Sequence, residues 1–262
     1  MNSAAGLRDA AGQWHQPYLA GAPRIVSLVP SITELLFDLG LGAHLVGRTG
    51  FCIHPAAGVR DIPKVGGTKN VNLEKVRQLA PTHLIVNIDE NEKPTVELLA
   101  QYVPHIIVTH PLTPRDNLAL YRLLGGIFGV TQAAQRLCAG FGQAYAALPA
   151  APAPQQVLYC IWRDPWMTVA PDTYISAMLA LIGWQTWSPG DSAQRYPQFS
   201  WNDEGLQHID RVLLSTEPYR FTAQHAAALA GQLGKPVQLL DGEMISWYGS
   251  RAIAGLRYLA RL

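Results

Sequence analysis

The sequence predicts an α/β protein of two lobes, each a mostly parallel sheet with covering helices, joined by one long helix. Three observations carry this reading. β-rich runs alternate with helical spacings through residues 23–113 and again through 151–262. Between them, Ala134, Leu137, Cys138, Phe141, Tyr145 and Leu148 follow the i, i+3, i+4, i+7 spacing of an amphipathic helix after a start signal at Thr131. Pro149, Pro152 and Pro154 then end that helix, because proline has no amide hydrogen and clashes with the preceding turn. A helix of about 18–20 residues spans roughly 27–30 Å, the width of a small domain, so this one reads as a rigid strut.

The elements follow in order. Residues 1–22, rich in Ala, Gly and polar residues, read as a flexible leader without the basic start and apolar segment of a signal peptide. Arg24–Val29 is a β-rich run stopped by Pro30, and Ser31 or Thr33 is placed to cap a helix that ends at Gly40. Leu45–Thr49 is a second strand, leading into the loop Gly50–Pro55. Asn72 caps a helix over Leu73–Ala80, His83–Asn87 is a buried strand, Pro94–Tyr102 a helix and His105–Thr109 a strand. Beyond the strut, strands are predicted at Gln156–Ile161, Arg211–Ser215 and Pro236–Leu240. Helices are predicted at Tyr174–Ile182, Ala223–Leu233 and Arg251–Leu262.

Composition narrows the function. The chain has 262 residues, 48% hydrophobic and 15% charged, with a formal net charge of +1, which argues against electrostatically driven nucleic-acid binding. No apolar run approaches the ~20 residues that cross a bilayer, so no direct membrane insertion is expected. Cys52, Cys138 and Cys160 lack metal or redox spacing and read as small hydrophobes. Lys64–Lys69 resembles a phosphate loop but lacks the G-x-x-x-x-G-K-[ST] order, and no HExxH, GxSxG or Cys-His constellation is present. The expectation is no catalytic residue, no intrinsic cofactor and a monomer located in the cytoplasm as the sequence stands, or in the periplasm with a different start.

In open α/β sheets ligands bind beyond the carboxyl ends of the strands. The residues there are richer in chemistry than loops require. Trp162, Trp166, Tyr219, Trp247 and Tyr248 offer an aromatic wall, and Arg163 and Arg251 suit anionic groups of a ligand. Phe51, His54 and Asp241 complete the predicted ligand site, with the identity of any metal open. Arg48, His54, Asp89, Arg163, Asp164, Glu217, Asp241 and Arg251 also keep open a second reading, an enzyme acting on a ligand in the same site. A third is an interaction module that kept only the fold.

The run Arg24–Phe37, the segments Asn72–Val76 and Ala80–Ile85, and the helix after Thr131 resemble the substrate-binding proteins of ABC transporters for iron-siderophores, haem and vitamin B12. Trp162–Met167, Glu217–Tyr219 and Asp241–Arg251 resemble the cobalamin-binding-protein-like subgroup, the helical backbone metal receptors. The resemblance implies two Rossmann-like lobes bridged by a single long backbone helix, with the ligand in the cleft between them. It implies a non-catalytic binding protein for a corrinoid or other metal chelate, with Phe51 against the ligand. It also implies one acidic residue per lobe that docks onto the permease: Glu74 in the first lobe, and Asp203 or Glu204 in the second.

Overall fold

The computed structural model describes residues 7–190 and 194–262. By its internal contacts the chain divides into two units. The first is Met1–Pro111, Arg115–Phe141 and Tyr248–Ser250; the second is Leu112–Pro114, Gly142–Trp247 and Arg251–Leu262.

The first unit opens with a two-residue antiparallel hairpin, β1 (Leu7–Arg8) and β2 (Trp14–His15). This corrects the expected flexible leader over residues 7–15; residues 1–6 of that leader lie outside the described residues. Asp9 organises the turn, its carboxylate accepting from Ala11 N, Gln13 N, Val108 N and, at 3.0 Å, His15 Nε2. The Ala-Gly composition hid an Asp-initiated turn, which satisfies its own backbone locally. Farther on, Tyr18 N bonds Ile127 O, and the Tyr18 ring meets His83 edge-on at 4.7 Å.

The sheet of this unit is β3 (Ile25–Ser27), β4 (Leu45–Arg48), β5 (His83–Asn87) and β6 (His105–Thr109), all parallel in the order β4-β3-β5-β6. Every residue of β3 and β5 is buried, as a parallel strand covered on both faces requires. Val26, Leu28, Val76, Leu84, Val86 and Leu99 form its core. The helices are α1 (Pro30–Asp38), α2 (Ala56–Val59), α3 (Leu73–Gln78), α4 (Lys93–Leu99) and α5 (Asp116–Ile127). The predicted caps of α1 fail: Val29 is the N-cap and Pro30 fills the first turn, where its missing N–H costs nothing. Ser31 and Thr33 lie inside the helix, with Thr33 Oγ1 bonded back to Val29 O at 3.0 Å. Asn72 does cap α3, its Oδ1 accepting from Lys75 N at 3.0 Å.

The strut is α6 (Thr131–Ala146), one unbroken helix within which the division between units falls. Ala133, Ala134, Phe141 and Ala144 are buried along it; of the predicted stripe Ala134 and Phe141 are buried, whereas Leu137, Cys138, Tyr145 and Leu148 are half-buried.

The second unit has β7 (Gln155–Cys160), β8 (Trp184–Thr186), β9 (Arg211–Ser215) and β10 (Val237–Leu240), again all parallel, in the order β10-β9-β7-β8. Its helices are α7 (Tyr174–Ala180), α8 (Ala223–Leu233), α9 (Gly242–Ser246) and α10 (Arg251–Leu259). β8 and α9 are the elements of this unit that the sequence pattern missed, being only three and five residues long. Leu158, Cys160, Val212, Leu214 and Phe221 anchor a core against which Trp166, Trp187 and Trp201 pack.

Candidate functional site

Parallel register puts the carboxyl ends of each sheet on a single edge. In the first unit Ser27 pairs with Arg48 and Ile85, and Asn87 with Thr109. In the second, Cys160 pairs with Leu214 and Ser215 with Leu240. The segments after β4 and β5 therefore share one edge, as do those after β7, β9 and β10.

In the first unit the loop after β4 is a tight turn in which Cys52 N bonds Thr49 O and Thr49 Oγ1 accepts from Phe51 N. The turn buries Cys52 and turns Phe51 outward, leaving it 63% exposed, with its ring edge over Gly67. A Cβ at Gly67 would stand in van der Waals contact with that ring. Ile53 after β4 and Ile88 after β5 are exposed as well, so apolar surface continues beyond these strand ends. His54 is half-buried next to Pro55. Tyr248 is not an exposed stacking surface. It is buried within the first unit, its hydroxyl donating to Glu90 Oε1 at 2.8 Å, and burial together with the Glu90 charge raises its pKa well above the ordinary tyrosine value.

In the second unit the segment after β7 turns back on itself: Ile161 N bonds Met167 O and Met167 N bonds Trp162 O. Asp164 sits at its tip in the left-handed region at φ 63°, which aspartate tolerates better than most residues. Trp162 is 39% exposed and meets Tyr219 edge-on at 5.7 Å; Tyr219 N is bonded to Ile161 O. Trp166 departs from the predicted wall. It is half-buried and packs against the core, nearly parallel to Phe221 at 5.8 Å and edge-on to Trp201 at 5.2 Å. Arg163 pairs with Asp164 at 3.5 Å and reaches over the Trp166 ring at 5.9 Å.

Trp247 departs from it as well. Only 9% exposed, it donates from Nε1 to Glu217 Oε1 at 2.7 Å, beside a second donor, Ser246 Oγ at 2.8 Å. Arg251 lies over the Trp247 ring at 4.8 Å and binds Glu243 Oε2 at 2.7 Å, so its guanidinium is engaged within the fold. Asp241 caps α9 through Met244 N. Thr216, Glu217, Asp241 and Glu243 line a hollow of about 360 Å³. Burial raises the Glu217 carboxyl, and the Glu243 and Asp241 charges act the same way against the hydrogen bonds from Ser246 and Trp247. Sequence reasoning missed this hydrogen-bond centre. Its one visible signal was an acidic residue two positions past a buried strand.

Of the predicted docking residues, Glu74 is exposed in the first turn of α3 and accepts from Gln78 Nε2 at 3.2 Å. Asp203 uses its carboxylate to accept from Ser200 N at 2.9 Å, whereas Glu204 beside it is exposed. Among the described residues no group of three or more His, Cys, Asp or Glu is placed to hold a metal ion, and no helix is long and apolar enough to cross a membrane.

Known proteins share this architecture. The chain is 24% identical over 238 residues to the vitamin B12-binding protein of Pectobacterium atrosepticum, covering 88% of this chain and 84% of that one. It is 48% identical over 58 residues, 22% of its length, to an ABC transporter substrate-binding lipoprotein of Bacillus subtilis. The structure of the periplasmic vitamin B12-binding protein of Vibrio cholerae superposes with a TM-score of 0.77 at 21% identity, over 92% of this chain and 96% of that one. A periplasmic haem-binding protein of Roseiflexus superposes with a TM-score of 0.74 at 22% identity, over 92% and 97%. These structural likenesses bear on the fold: two parallel α/β units linked through one helix. Residues 25–215 match the periplasmic binding protein family, and this chain belongs to it.

Proposed function

We propose that the protein binds a corrinoid or another large metal chelate without transforming it, and delivers it to an ABC-transporter permease. The carrying observation is the outward-facing apolar surface at the carboxyl ends of the strands, with Phe51 at its centre in the first unit and Trp162 in the second. Solvent-facing rings at strand ends suit the broad apolar face of a macrocycle, and burying them on binding returns hydrophobic free energy. The names of the curated relatives point the same way.

The enzyme reading draws less support. Most of the charged groups that favoured it are committed to the fold: Arg48 to carbonyl oxygens, Asp89 to His110, Arg163 and Asp164 to each other, Glu217 to Ser246 and Trp247, Asp241 to Met244 N, and Arg251 to Glu243. None is poised as a nucleophile with an adjacent base. For docking, the exposed carboxylates Glu74 and Glu204 fit arginines on a permease, with Asp203 serving its own turn. Work with a permease places the protein in the periplasm. Fractionation of cells expressing the native gene tests this, and recovery mainly in the cytoplasm would contradict it.

Titration of the purified protein with cyanocobalamin and with haemin, followed by the shift of their visible bands, tests the ligand class. Saturable one-to-one binding of either, with the ligand recovered unchanged, supports the proposal. Failure of both, or release of an altered ligand, overturns it.

A further inference from the structure

The first unit carries a second hollow, of about 590 Å³, whose lining includes Arg48, Arg60, Asp61, Lys64, Lys75 and Gln78 with apolar residues between them. That is the volume of a small-molecule site, and four cations face one carboxylate across it. Two features set it apart from an ordinary solvated basic surface.

The first is Arg48, only 4% exposed. Its Nε donates to Val59 O at 2.8 Å, and its Nη1 to Thr49 O at 3.1 Å and Cys52 O at 3.0 Å. No carboxylate pairs with it and its Nη2 has no hydrogen-bond partner among the described residues. Three carbonyl bonds hold Nε and Nη1, and a guanidinium cannot shed its proton, so a positive charge with no carboxylate partner stands at the wall of the hollow. The second is that Arg60, Lys64 and Lys75 make no ion pair among the described residues, although exposed lysines and arginines often find one. Their placement is fixed by the backbone. Lys64 is bridged to Arg48, with Val65 N bonded to Arg48 O at 2.8 Å, while Lys75 and Gln78 lie three residues apart on one face of α3.

We propose that this hollow binds a phosphate-bearing molecule through Arg48, Arg60, Lys64 and Lys75. A phosphate offers several acceptor oxygens and up to two charges, matching the remaining Nη2 of Arg48, the Arg60 guanidinium and the ammonium groups of Lys64 and Lys75. The absent G-x-x-x-x-G-K-[ST] order means that side chains, not a loop of backbone amides, carry the recognition. The inference is independent of the ligand proposed above, which uses none of these four residues.

Calorimetry on the full chain tests it with two sources of the same chemistry. One arm uses inorganic pyrophosphate and glycerol phosphate; the other uses phosphatidylcholine vesicles with and without phosphatidylglycerol. Binding at a Kd of about 1 mM or tighter is expected in at least one arm, weakening as salt is raised. The exposed pair Lys64→Glu with Lys75→Glu should weaken it about tenfold or more while leaving thermal stability and any cobalamin affinity unchanged. Response to the soluble probes assigns a free metabolite, and response to the anionic vesicles alone assigns a lipid headgroup. No binding in either arm, equal binding by the double variant, or tighter binding of polyglutamate than of pyrophosphate overturns the proposal.

Discussion

Trp247 was expected from the sequence to stack on ligand, with its replacement by alanine weakening binding in a folded protein. The structure makes it a fold-holding residue, and the cost of removing it follows from its contacts. Trp247 is 9% exposed, so Trp247→Ala leaves a cavity, typically about 3–5 kcal/mol for a buried tryptophan. It also removes the 2.7 Å donor to Glu217, and a hydrogen bond to a charged group contributes about 1.5–3 kcal/mol. The Arg251 contact over the ring adds about 0.5–1 kcal/mol. These overlap, because Ser246 still donates to Glu217, so we expect a loss of about 4–6 kcal/mol in all. Trp247→Phe keeps most of the volume and should lose about 2 kcal/mol, chiefly the N–H. The phenylalanine variant carries a pH signature. Glu217 is already raised by burial, and losing a donor raises it further, so the folded state binds its proton more readily than the unfolded chain does. The variant's deficit should thus shrink as pH falls and Glu217 protonates. Urea unfolding of the three proteins across pH gives these quantities. A loss below about 1 kcal/mol for Trp247→Ala, with a large loss of ligand affinity, would refute the reasoning and restore Trp247 to the ligand surface.

Other perturbations give separable outcomes. Phe51→Ala should leave stability unchanged and cost about 2 kcal/mol of ligand affinity, roughly thirtyfold, by calorimetry; unchanged affinity would move the site elsewhere. His83, stacked on His105 at 4.7 Å and bonded to Thr82 Oγ1, is held neutral by burial and then by the His105 and His15 charges, with its pKa lowered to about 4. The unfolded chain binds that proton first, so up to about 3 kcal/mol of stability present above pH 6.5 should be lost as pH falls toward 4, and His83→Gln should flatten the slope. Glu74→Arg or Glu204→Arg should abolish uptake in cells while ligand affinity stays within about twofold, since neither lies at a strand end; Asp203→Ala should instead cost about 1 kcal/mol of stability by losing the bond from Ser200 N.

The sequence made the frame legible because each signal there is local. Buried parallel strands such as His83–Asn87 are short apolar runs, and the strut announced itself by spacing and by the prolines after it. The hairpin at residues 7–15 was lost because a single aspartate organises it, and β8 and α9 because three to five residues carry no period. The site was legible by place more than by role. Strand order predicted which segments gather at each sheet edge, but exposure depends on partners distant in sequence. Nothing local to Trp166 reveals that Phe221 and Trp201 enclose it, or that Glu217 claims the Trp247 N–H from thirty positions away. Phe51 was singled out by resemblance, and its exposure follows from a tight turn made by its immediate neighbours.

The central claim is that this chain carries a metal chelate and does not transform it. Native mass spectrometry of the protein purified from its own host, with a visible absorption spectrum of the same sample, tests it most directly. The account predicts one bound molecule per chain, with the absorption bands of a corrinoid or other metal macrocycle and a mass that stays constant on incubation. A protein that emerges without ligand and takes up neither cobalamin nor haem, or a bound mass that changes with time, would contradict it.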